Sequence, residues 1–494
     1  MIVTTAGRST PRSAAALLLP LGLYLCSLAP TVYNLDSAEL TTAAATGGIL
    51  RATGYPLYLT IGNLWSRLPI GDVGYRMNLL SAVAGAVTIL LADRILQRLR
   101  VGPLAALGAL GLLATAPAFW SMSVVAEVYT LQTLLMAALI LALLRWAEAP
   151  WSPGLAAAVG FILGLAACHH AATVLLLPGL LVFVLASKPA TARRPPVVAA
   201  AVGGLVAGLA PMLYLPLRYA AAPAFNYAGS FDGSGHFQPV NLLRPAGILW
   251  LVTGRSFAGQ MFGYGPTATA AEIGRLVVQL NRAFLGIGLG PGLLGAALLI
   301  RGRRSIGLLL GLFALINACF FAAYRVIDKE TMFLPLFLVW ALWVGVGYQW
   351  LLDWVDGRRD RGPGWARKAL GTAMLAAVFV GAGLTWPLAD RSGDRGARER
   401  GERVLAAVAP GALVLGWWDT VPVLQYLQLV EGRRPDVMAI NRFLIPTAAL
   451  DILLRREIGR RPVYIDSVPN TLAGEVEVTD ADLLLRLRPL TSRP

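Results

Sequence analysis

Long uncharged hydrophobic runs, separated by short polar connections, recur along this chain from residue 14 to residue 388. A helix needs roughly 20 apolar residues to cross the ~30 Å hydrocarbon core of a bilayer. The run 149–187 is too long for one crossing, and we divide it at His169-His170, where polar residues return. The pattern therefore predicts eleven spans, at 14–32, 77–93, 102–119, 128–144, 154–169, 171–187, 196–217, 283–300, 305–323, 331–352 and 369–388.

The composition supports this interpretation. Hydrophobic residues make up 56% of the 494 residues, charged residues only 14%, and the mean hydropathy is +0.64. A soluble protein carries about 25% charged residues. The first run resembles a signal-peptide core, but Ala29-Pro30-Thr31 is a poor cleavage site, so we expect a retained first span. The sequence predicts a polytopic α-helical membrane protein.

The charged residues between the predicted spans indicate the topology. One set of connections carries seventeen basic and five acidic residues, which places that face and the N-terminus in the cytoplasm. The net charge of +15 is explained by these arginines, and no nucleic-acid partner is indicated. The loops 33–76 and 218–282 and the tail after 389 then lie on the extracytoplasmic face. Frequent Ala, Gly and Arg suggest a GC-rich bacterial genome, and hence a bacterial inner membrane.

The tail differs in pattern from the rest of the chain. Short β-branched runs at 412–415, 437–440 and 462–465 alternate with helix-like stretches at 421–430 and 446–459. Such alternation predicts a small α/β domain with a parallel sheet. We divide the chain into a membrane domain, 1–389, and an extracytoplasmic domain, 390–494.

Two carboxylates, Asp36 and Glu39, follow directly after the first predicted span. Acidic residues at the mouth of a span are costly unless they face water, a partner or a substrate. In a structural interpretation, Asp36 is a helix N-cap and Glu39 reaches back from the third helical position. In a functional interpretation, Asp36 is a general base and Glu39 holds the substrate or tunes the charge of Asp36. The two are compatible, because a cap also fixes the direction of a carboxylate.

Other polar residues at the outer span ends also have two interpretations. Arg51 begins a turn that leads into a short interfacial helix. Glu127 lies at the outer end of a span, where a single glutamate is usually a solvated helix end; the alternative is a functional acid. His169 and His170 point about 100° apart on a helix, so they do not predict a shared metal site. One of them contacts a phosphate, or forms an ordinary hydrogen bond at a helix end.

Two arginines complete this set. Arg218 precedes the long outer loop, and Arg325 lies with Asp328 in a densely charged turn. The planar guanidinium group suits a phosphate. The alternatives are snorkelling of Arg218 towards the interface and a solvated turn around Arg325.

Several motifs together resemble a known family. Asp-x-x-Glu after the first span and the turn 53–58, Thr-Gly-Tyr-Pro-Leu-Tyr, form the most specific block. Further similarity lies at 75–82, 126–129, 217–218, 225–227, 324–335, 418–420 and 434–437. The chain resembles, over roughly residues 14–465, a bacterial membrane family related to the eukaryotic transmembrane O-mannosyltransferase of plexin-type receptors. Arg51-Ala52 stands where that family usually has His-Pro, and Asn226-Tyr227 where Asn-Trp is common.

The resemblance implies a GT-C fold and a reaction. An enzyme of this class takes a sugar from a polyprenyl-phosphate donor in the membrane and transfers it, with inversion, to a hydroxyl of a protein or glycan acceptor. It implies Asp36 as the base and Glu39 as its neighbour in the catalytic pair. It requires no cofactor, and a divalent metal is left open. The residues expected to bind substrate or phosphate are Arg51, Tyr55, Glu127, His169, His170, Arg218, Asn226, Arg325 and Asp328.

Two other functions fit part of the pattern. A transporter or flippase for polyprenyl-linked sugars or lipids would also carry polar residues near the membrane, but such proteins tend to show paired repeats and broken helices at the midplane. Neither feature is visible in the sequence. A non-catalytic scaffold would leave Asp36 and Glu39 as helix caps.

Overall fold

The computed structural model describes residues 10–187, 190, 194–326, 329–357 and 365–490, and most of these residues are helical. Short 3₁₀ segments join several of the helices, for example before α9, α11 and α16. The helices of the membrane part are α1 (Thr10–Cys26), α2 (Asp36–Thr46), α3 (Pro56–Trp65), α4 (Val73–Arg98), α5 (Pro103–Ala114), α6 (Pro117–Ser123), α7 (Tyr129–Glu148), α8 (Pro153–His169), α9 (Leu177–Ser187), α10 (Pro195–Gly208), α11 (Tyr214–Ala220), α12 (Pro245–Val252), α13 (Pro266–Ala283), α14 (Leu289–Gly302), α15 (Arg304–Ala323), α16 (Leu334–Asp356) and α17 (Ala366–Ala389).

These helices form a multi-pass membrane protein. Within the described residues, six helical segments are long and apolar enough to cross a bilayer: α4, α7, α10 with α11, α15, α16 with the turn before it, and α17. Four shorter apolar segments, at α1, α8, α9 and α14, also lie on predicted spans. The division at His169-His170 coincides with the end of α8. The total of eleven spans stays a prediction.

The predicted span 102–119 is not one straight helix. It is formed by α5 and α6, which are bent by 69° at a break between them. Pro117 cannot donate a backbone hydrogen bond, and it disfavours helical geometry at the residue before it. Ala116 is accordingly extended, with φ −62° and ψ 134°. The segment that carries Glu127 follows this bent pair directly and leads into α7.

Close packing between α8 and α10 depends on glycine. Gly160 and Gly164 of α8 lie against α10, and Gly204 and Gly208 of α10 lie against α8. A Cβ atom at Gly160 would be 2.0 Å from the carbonyl oxygen of Ala201. Small residues spaced four apart allow membrane helices to approach each other in this way.

The tail contains α18 (Gly396–Ala407), α19 (Val421–Leu429) and α20 (Thr447–Glu457) together with a five-stranded sheet. Its strands are β3 (Leu413–Gly416), β4 (Met438–Asn441), β5 (Val463–Ile465), β6 (Val476–Ala481) and β7 (Leu484–Pro489), in the order β4-β3-β5-β7-β6. The pairs β3–β4 and β3–β5 are parallel, and the pairs of β7 are antiparallel. The apolar pattern predicts the three parallel strands but not β6 and β7, because charged residues interrupt the apolar positions of these two strands. A separate hairpin, β1 (Gly229–Phe231) with β2 (Phe237–Pro239), lies in the long loop.

The tail packs directly on α2. Val32 and Ala38 share a buried cluster with Val423, Leu424 and other residues of α18, α19 and the sheet. The hydroxyl of Tyr426 accepts a hydrogen bond from the backbone of Gly74 at 3.3 Å. The helix that carries the acidic pair is therefore enclosed between the membrane helices and the sheet domain.

Candidate functional site

The acidic pair lies in the first turn of α2, at positions three residues apart and hence on one side of the helix. The Glu39 side chain is 3% exposed and the Asp36 side chain 41% exposed. The capping interpretation is wrong. Leu35 is the N-cap, Asp36 is the first helical residue, and within the described residues no side chain caps this helix end. Both carboxylates instead bind a cation.

That cation is Arg51. Its Nη2 lies 2.8 Å from Oδ1 and 2.9 Å from Oδ2 of Asp36, and its Nε lies 3.3 Å from Oε2 of Glu39. One guanidinium group thus bridges both acids, which its planar set of donors permits. The three groups leave one net negative charge if both acids are ionised. Arg51 is paired within the site, so a phosphate would share it with the two carboxylates.

Aromatic rings surround the guanidinium group of Arg51. Its central carbon lies 4.4 Å from the ring centroid of Trp418, 5.8 Å from that of Phe257 and 5.9 Å from that of Phe443. Phe257 comes from the long loop, and Trp418 and Phe443 come from the sheet domain. These contacts could not be found by local sequence patterns, although Trp418 lies in one of the segments that carry the family resemblance.

The buried acids are strongly influenced by their surroundings. Burial raises the pKa of Glu39 to about 7; the charge of Arg51 opposes this shift, and that of Asp36 adds to it. Burial and then the charge of Asp36 raise the pKa of Glu127 well above its usual range. The segment before α7 is held by α4: Asn78 Oδ1 accepts from the backbone of Ala126 at 2.8 Å, and Ser81 Oγ accepts from that of Glu127 at 3.0 Å. A third carboxyl group therefore belongs to the same electrostatic environment.

Tyr55 and the two histidines form a neighbouring group. The ring centroid of Tyr55 lies 6.3 Å from that of His169 and 5.6 Å from that of His170. His169 Nε2 donates to the carbonyl of Val128 at 2.8 Å, and His170 Nδ1 accepts from the backbone of Ala172 at 3.0 Å. Each histidine thus uses one ring nitrogen at a helix end, as its structural alternative predicts. A role for either at a phosphate stays a prediction.

Arg218 is bound to the other end of α2. Its Nε donates to the carbonyl of Gly47 at 2.5 Å, and its Nη2 to that of Thr46 at 3.3 Å. A cation at the last carbonyl groups complements the helix dipole and stabilises the C-terminus. Arg218 therefore holds the helix that carries the acids, and no phosphate contact is needed to explain its position.

Asn226 belongs to the loop that runs beside the turn after α2. Ile49 donates to the carbonyl of Phe225 at 2.9 Å, and Tyr227 donates to the carbonyl of Ile49 at 2.8 Å. The side chain of Asn226 accepts from the backbone of Ala228 at 2.9 Å. These bonds join the loop to the segment that leads to Arg51, so Asn226 supports the site from outside it.

Of the charged turn, Arg325 is exposed, and its backbone donates to the carbonyl of Gln260 at 2.9 Å. Asp328 lies outside the described residues. The sequence pattern missed a buried ion pair, in which Lys329 Nζ lies 2.9 Å from Oε2 of Glu272. This pair joins α13 of the long loop to the start of α16, and the amphipathic pattern of α13 contained no signal for it.

A cavity of about 240 Å³ opens beside the aromatic rings. Arg51 and Phe257 form one side of it, Tyr227 to Ser230 another, and Phe443 to Pro446 of the sheet domain a third. The site thus consists of a carboxylate pair, one arginine, a half-buried third acid and an aromatic cavity. Among the described residues no group of three or more His, Cys, Asp or Glu side chains is arranged to hold a metal ion.

Comparison with known proteins gives two kinds of similarity. Residues 36–193 match the family model of the N-terminal domain of protein O-mannosyl-transferase TMEM260. The mouse (Mus musculus) protein O-mannosyl-transferase TMEM260 is 32% identical over 190 residues, which are 37% of this chain and 27% of that protein. The predicted family resemblance is confirmed over this matched region, and its extension to residue 465 stays a prediction. The matched region contains Asp36, Glu39, Arg51, Glu127 and both histidines of the site.

Solved structures extend the similarity to the whole fold. ArnT from Cupriavidus metallidurans in the apo state is 15% identical with a TM-score of 0.61, and covers 97% of this chain and 98% of its own. The same protein bound to undecaprenyl phosphate is 12% identical to this chain, with a TM-score of 0.60 and the same coverage. An Archaeoglobus fulgidus oligosaccharyltransferase solved with zinc and sulfate is 14% identical, with a TM-score of 0.56. The match covers 88% of this chain and 62% of the oligosaccharyltransferase chain. The chain therefore shares its overall fold with ArnT over nearly its whole length.

Proposed function

We propose that this chain is a membrane glycosyltransferase that moves a sugar from a polyprenyl-phosphate donor to an acceptor hydroxyl, with inversion at the anomeric carbon. The observation that carries the proposal is the pair Asp36 and Glu39 bound to Arg51 at the start of α2. This pair lies in the region that matches a protein O-mannosyl-transferase domain, within a fold shared with a protein solved with undecaprenyl phosphate.

Asp36 is the general base in this proposal. Its carboxylate is the more exposed of the two, so it can reach a hydroxyl, and Arg51 holds it in a fixed orientation through both carboxylate oxygens. General base catalysis contributes typically 10²–10⁴-fold to a rate. Glu39 is too buried to meet a substrate directly, and it positions Arg51 from the other side.

The leaving group is a phosphate, so it departs as an anion and no second carboxylic acid has to protonate it. We assign Arg51 and the exposed Arg325 to neutralise it. Tyr55 and His169 or His170 are assigned to bind the donor. Glu127 completes the acidic environment around the reacting hydroxyl. Arg218 and Asn226 act indirectly, since their contacts hold α2 and the turn after it.

We place the reaction on the extracytoplasmic face of a bacterial inner membrane. The excess of basic residues in the opposite connections supports this orientation. The N-terminus is then cytoplasmic, and the sheet domain lies outside the cell membrane, next to the site.

The proposal is tested with the purified full-length protein in detergent. Radiolabelled polyprenyl-phosphate sugars are offered together with periplasmic and membrane extracts of the host, to wild type and to Asp36→Asn. We expect label to be transferred by the wild type and at least 100-fold more slowly by the variant, with donor binding retained. Transfer by Asp36→Asn above a tenth of the wild-type rate would refute the assignment of the base, and binding without transfer by the wild type would favour a transporter.

A further inference from the structure

The sheet domain presents a second set of functional groups next to the site. In the parallel part of its sheet, β3 lies between β4 and β5. Leu424 of α19 packs with Val414, and Leu453 of α20 packs with Leu413 and Leu415, so the two helices cover opposite faces. Ligands of such doubly wound sheets bind beyond the carboxyl ends of the strands, where the strand order reverses.

The residues at these carboxyl ends are aromatic and charged. Trp417 and Trp418 follow β3, Arg442 and Phe443 follow β4, and Asp466 follows β5. Arg442 Nη1 pairs with Oδ1 of Asp466, and its guanidinium carbon lies 5.4 Å from the ring centroid of Trp417. Three strand ends are therefore joined by one ion pair and one cation–π contact.

Hydrogen-bonding capacity remains unused at this point. Arg442 Nε, Asp466 Oδ2 and Trp418 Nε1 are buried atoms without a hydrogen-bond partner in the described part of the chain. Each buried polar group left unpaired costs about 1–3 kcal/mol. Such groups are rare in native proteins and call for an explanation such as a ligand. Two donors and one acceptor thus accompany three adjacent strand ends.

Exposed rings accompany these atoms. Trp417 is 47% and Phe443 49% exposed, high values for such large apolar side chains. Phe443 also lines the cavity beside Arg51, and its ring lies 4.8 Å from that of Trp418. The surface formed by Trp417, Arg442, Phe443 and Asp466, which we call the strand-end surface, is therefore continuous with the cavity that leads to the acidic pair.

We propose that the strand-end surface is the acceptor subsite and that it binds a carbohydrate. This inference depends on the proposed transferase function. A sugar ring offers apolar C–H groups to aromatic rings, and neighbouring hydroxyls that both donate and accept hydrogen bonds. The free donor of Arg442 and the free acceptor of Asp466 suit such a pair of hydroxyls. An extended peptide would be bound along the edge of a sheet, whereas these groups lie at the ends of central strands.

The test measures the binding of neutral saccharides to the full-length protein in detergent by saturation-transfer NMR. A panel of di- and trisaccharides is used as the probe, and serine- and threonine-containing peptides form a second panel. We expect one or more saccharides to bind the wild type. Trp417→Ala and Asp466→Asn are expected to raise the dissociation constant at least tenfold.

Trp151→Ala is the matched control. Trp151 is 44% exposed and lies under Arg194 at 4.0 Å, so it reproduces the exposure and cation contact of Trp417 elsewhere in the chain. Saccharide binding that survives in Trp417→Ala and Asp466→Asn overturns the inference, as does binding of peptides in place of saccharides. Failure of the transferase function appears separately, as saccharide binding by a wild-type protein that transfers no sugar.

Discussion

Replacing Trp418 by alanine removes the ring closest to the Arg51 guanidinium group, 4.4 Å from its central carbon. Cation–π contacts contribute about 0.5–2 kcal/mol, more when they are shielded from water. Arg51 is 24% exposed, and two further rings at 5.8 and 5.9 Å remain in the variant. We therefore expect a loss of about 1 kcal/mol, which corresponds to a roughly fivefold fall in the equilibrium constant for the correct placement of Arg51.

The consequence is measured as kcat for sugar transfer across a range of pH. Arg51 lowers the pKa of Glu39 by its charge, so a displaced Arg51 lets that pKa rise. Trp418→Ala should lower kcat about fivefold and move the acidic limb of the pH profile to higher pH. Trp418→Phe keeps a ring in place and should restore most of both properties.

Trp151→Ala serves as the control for loss of a tryptophan under an arginine, and thermal unfolding reports whether each variant is folded. A merely structural role of Trp418 would lower stability without moving the pH profile. A folded Trp418→Ala protein with wild-type kcat and an unchanged profile would refute the reasoning.

Three further predictions follow from buried contacts. Wild-type transfer should rise as pH increases through about 7, where Glu39 ionises, and Glu39→Gln should remove this rise. The raised pKa of Glu39 makes the folded state bind more protons than the unfolded state between pH 4.5 and about 7. The free energy of unfolding of the wild type should therefore fall over that interval, and that of Glu39→Gln should not. Gly47→Ala should lower the free energy of unfolding by about 1–3 kcal/mol, because the φ of Gly47 is +63° and an added Cβ would lie 2.7 Å from the Arg218 guanidinium. Gly411→Ala is the control for backbone strain alone, because Gly411 has φ +68° and no atom within 4 Å of an added Cβ. Glu272→Gln should cost about 3 kcal/mol, because it leaves its buried lysine partner without its carboxylate, and a melting temperature within 1 °C of wild type (about 1 kcal/mol or less for a chain of this length) would contradict this.

The helical architecture and the acidic pair were accessible from sequence because both have local signals. Apolar runs locate the membrane helices, and two carboxylates after such a run are costly without a function. The bend before Pro117 also has a local cause, but hydropathy alone does not reveal it. The capping interpretation of Asp36 failed because a capping box and a functional acid pair share the same spacing.

The partners of the site residues were not accessible in the same way. Arg51 was expected to meet a phosphate, and its pairing with both acids depends on how the turn after α2 folds back. Phe257, Trp418 and Phe443 are more than 200 residues from Arg51 in the chain, so no periodicity connects them. Arg218 carries a charge suited to phosphate, yet its contacts are the last carbonyl groups of α2, which only the tertiary structure brings within reach.

The most direct test of the central claim is the stoichiometry of the reaction in detergent, measured as polyprenyl phosphate released against glycosylated acceptor formed. A transferase that acts through Asp36 should release one polyprenyl phosphate for each acceptor modified, with inverted configuration at the anomeric carbon, and Asp36→Asn should abolish both products together. Release without acceptor modification, retention of configuration, or equal yields from the variant would contradict the account.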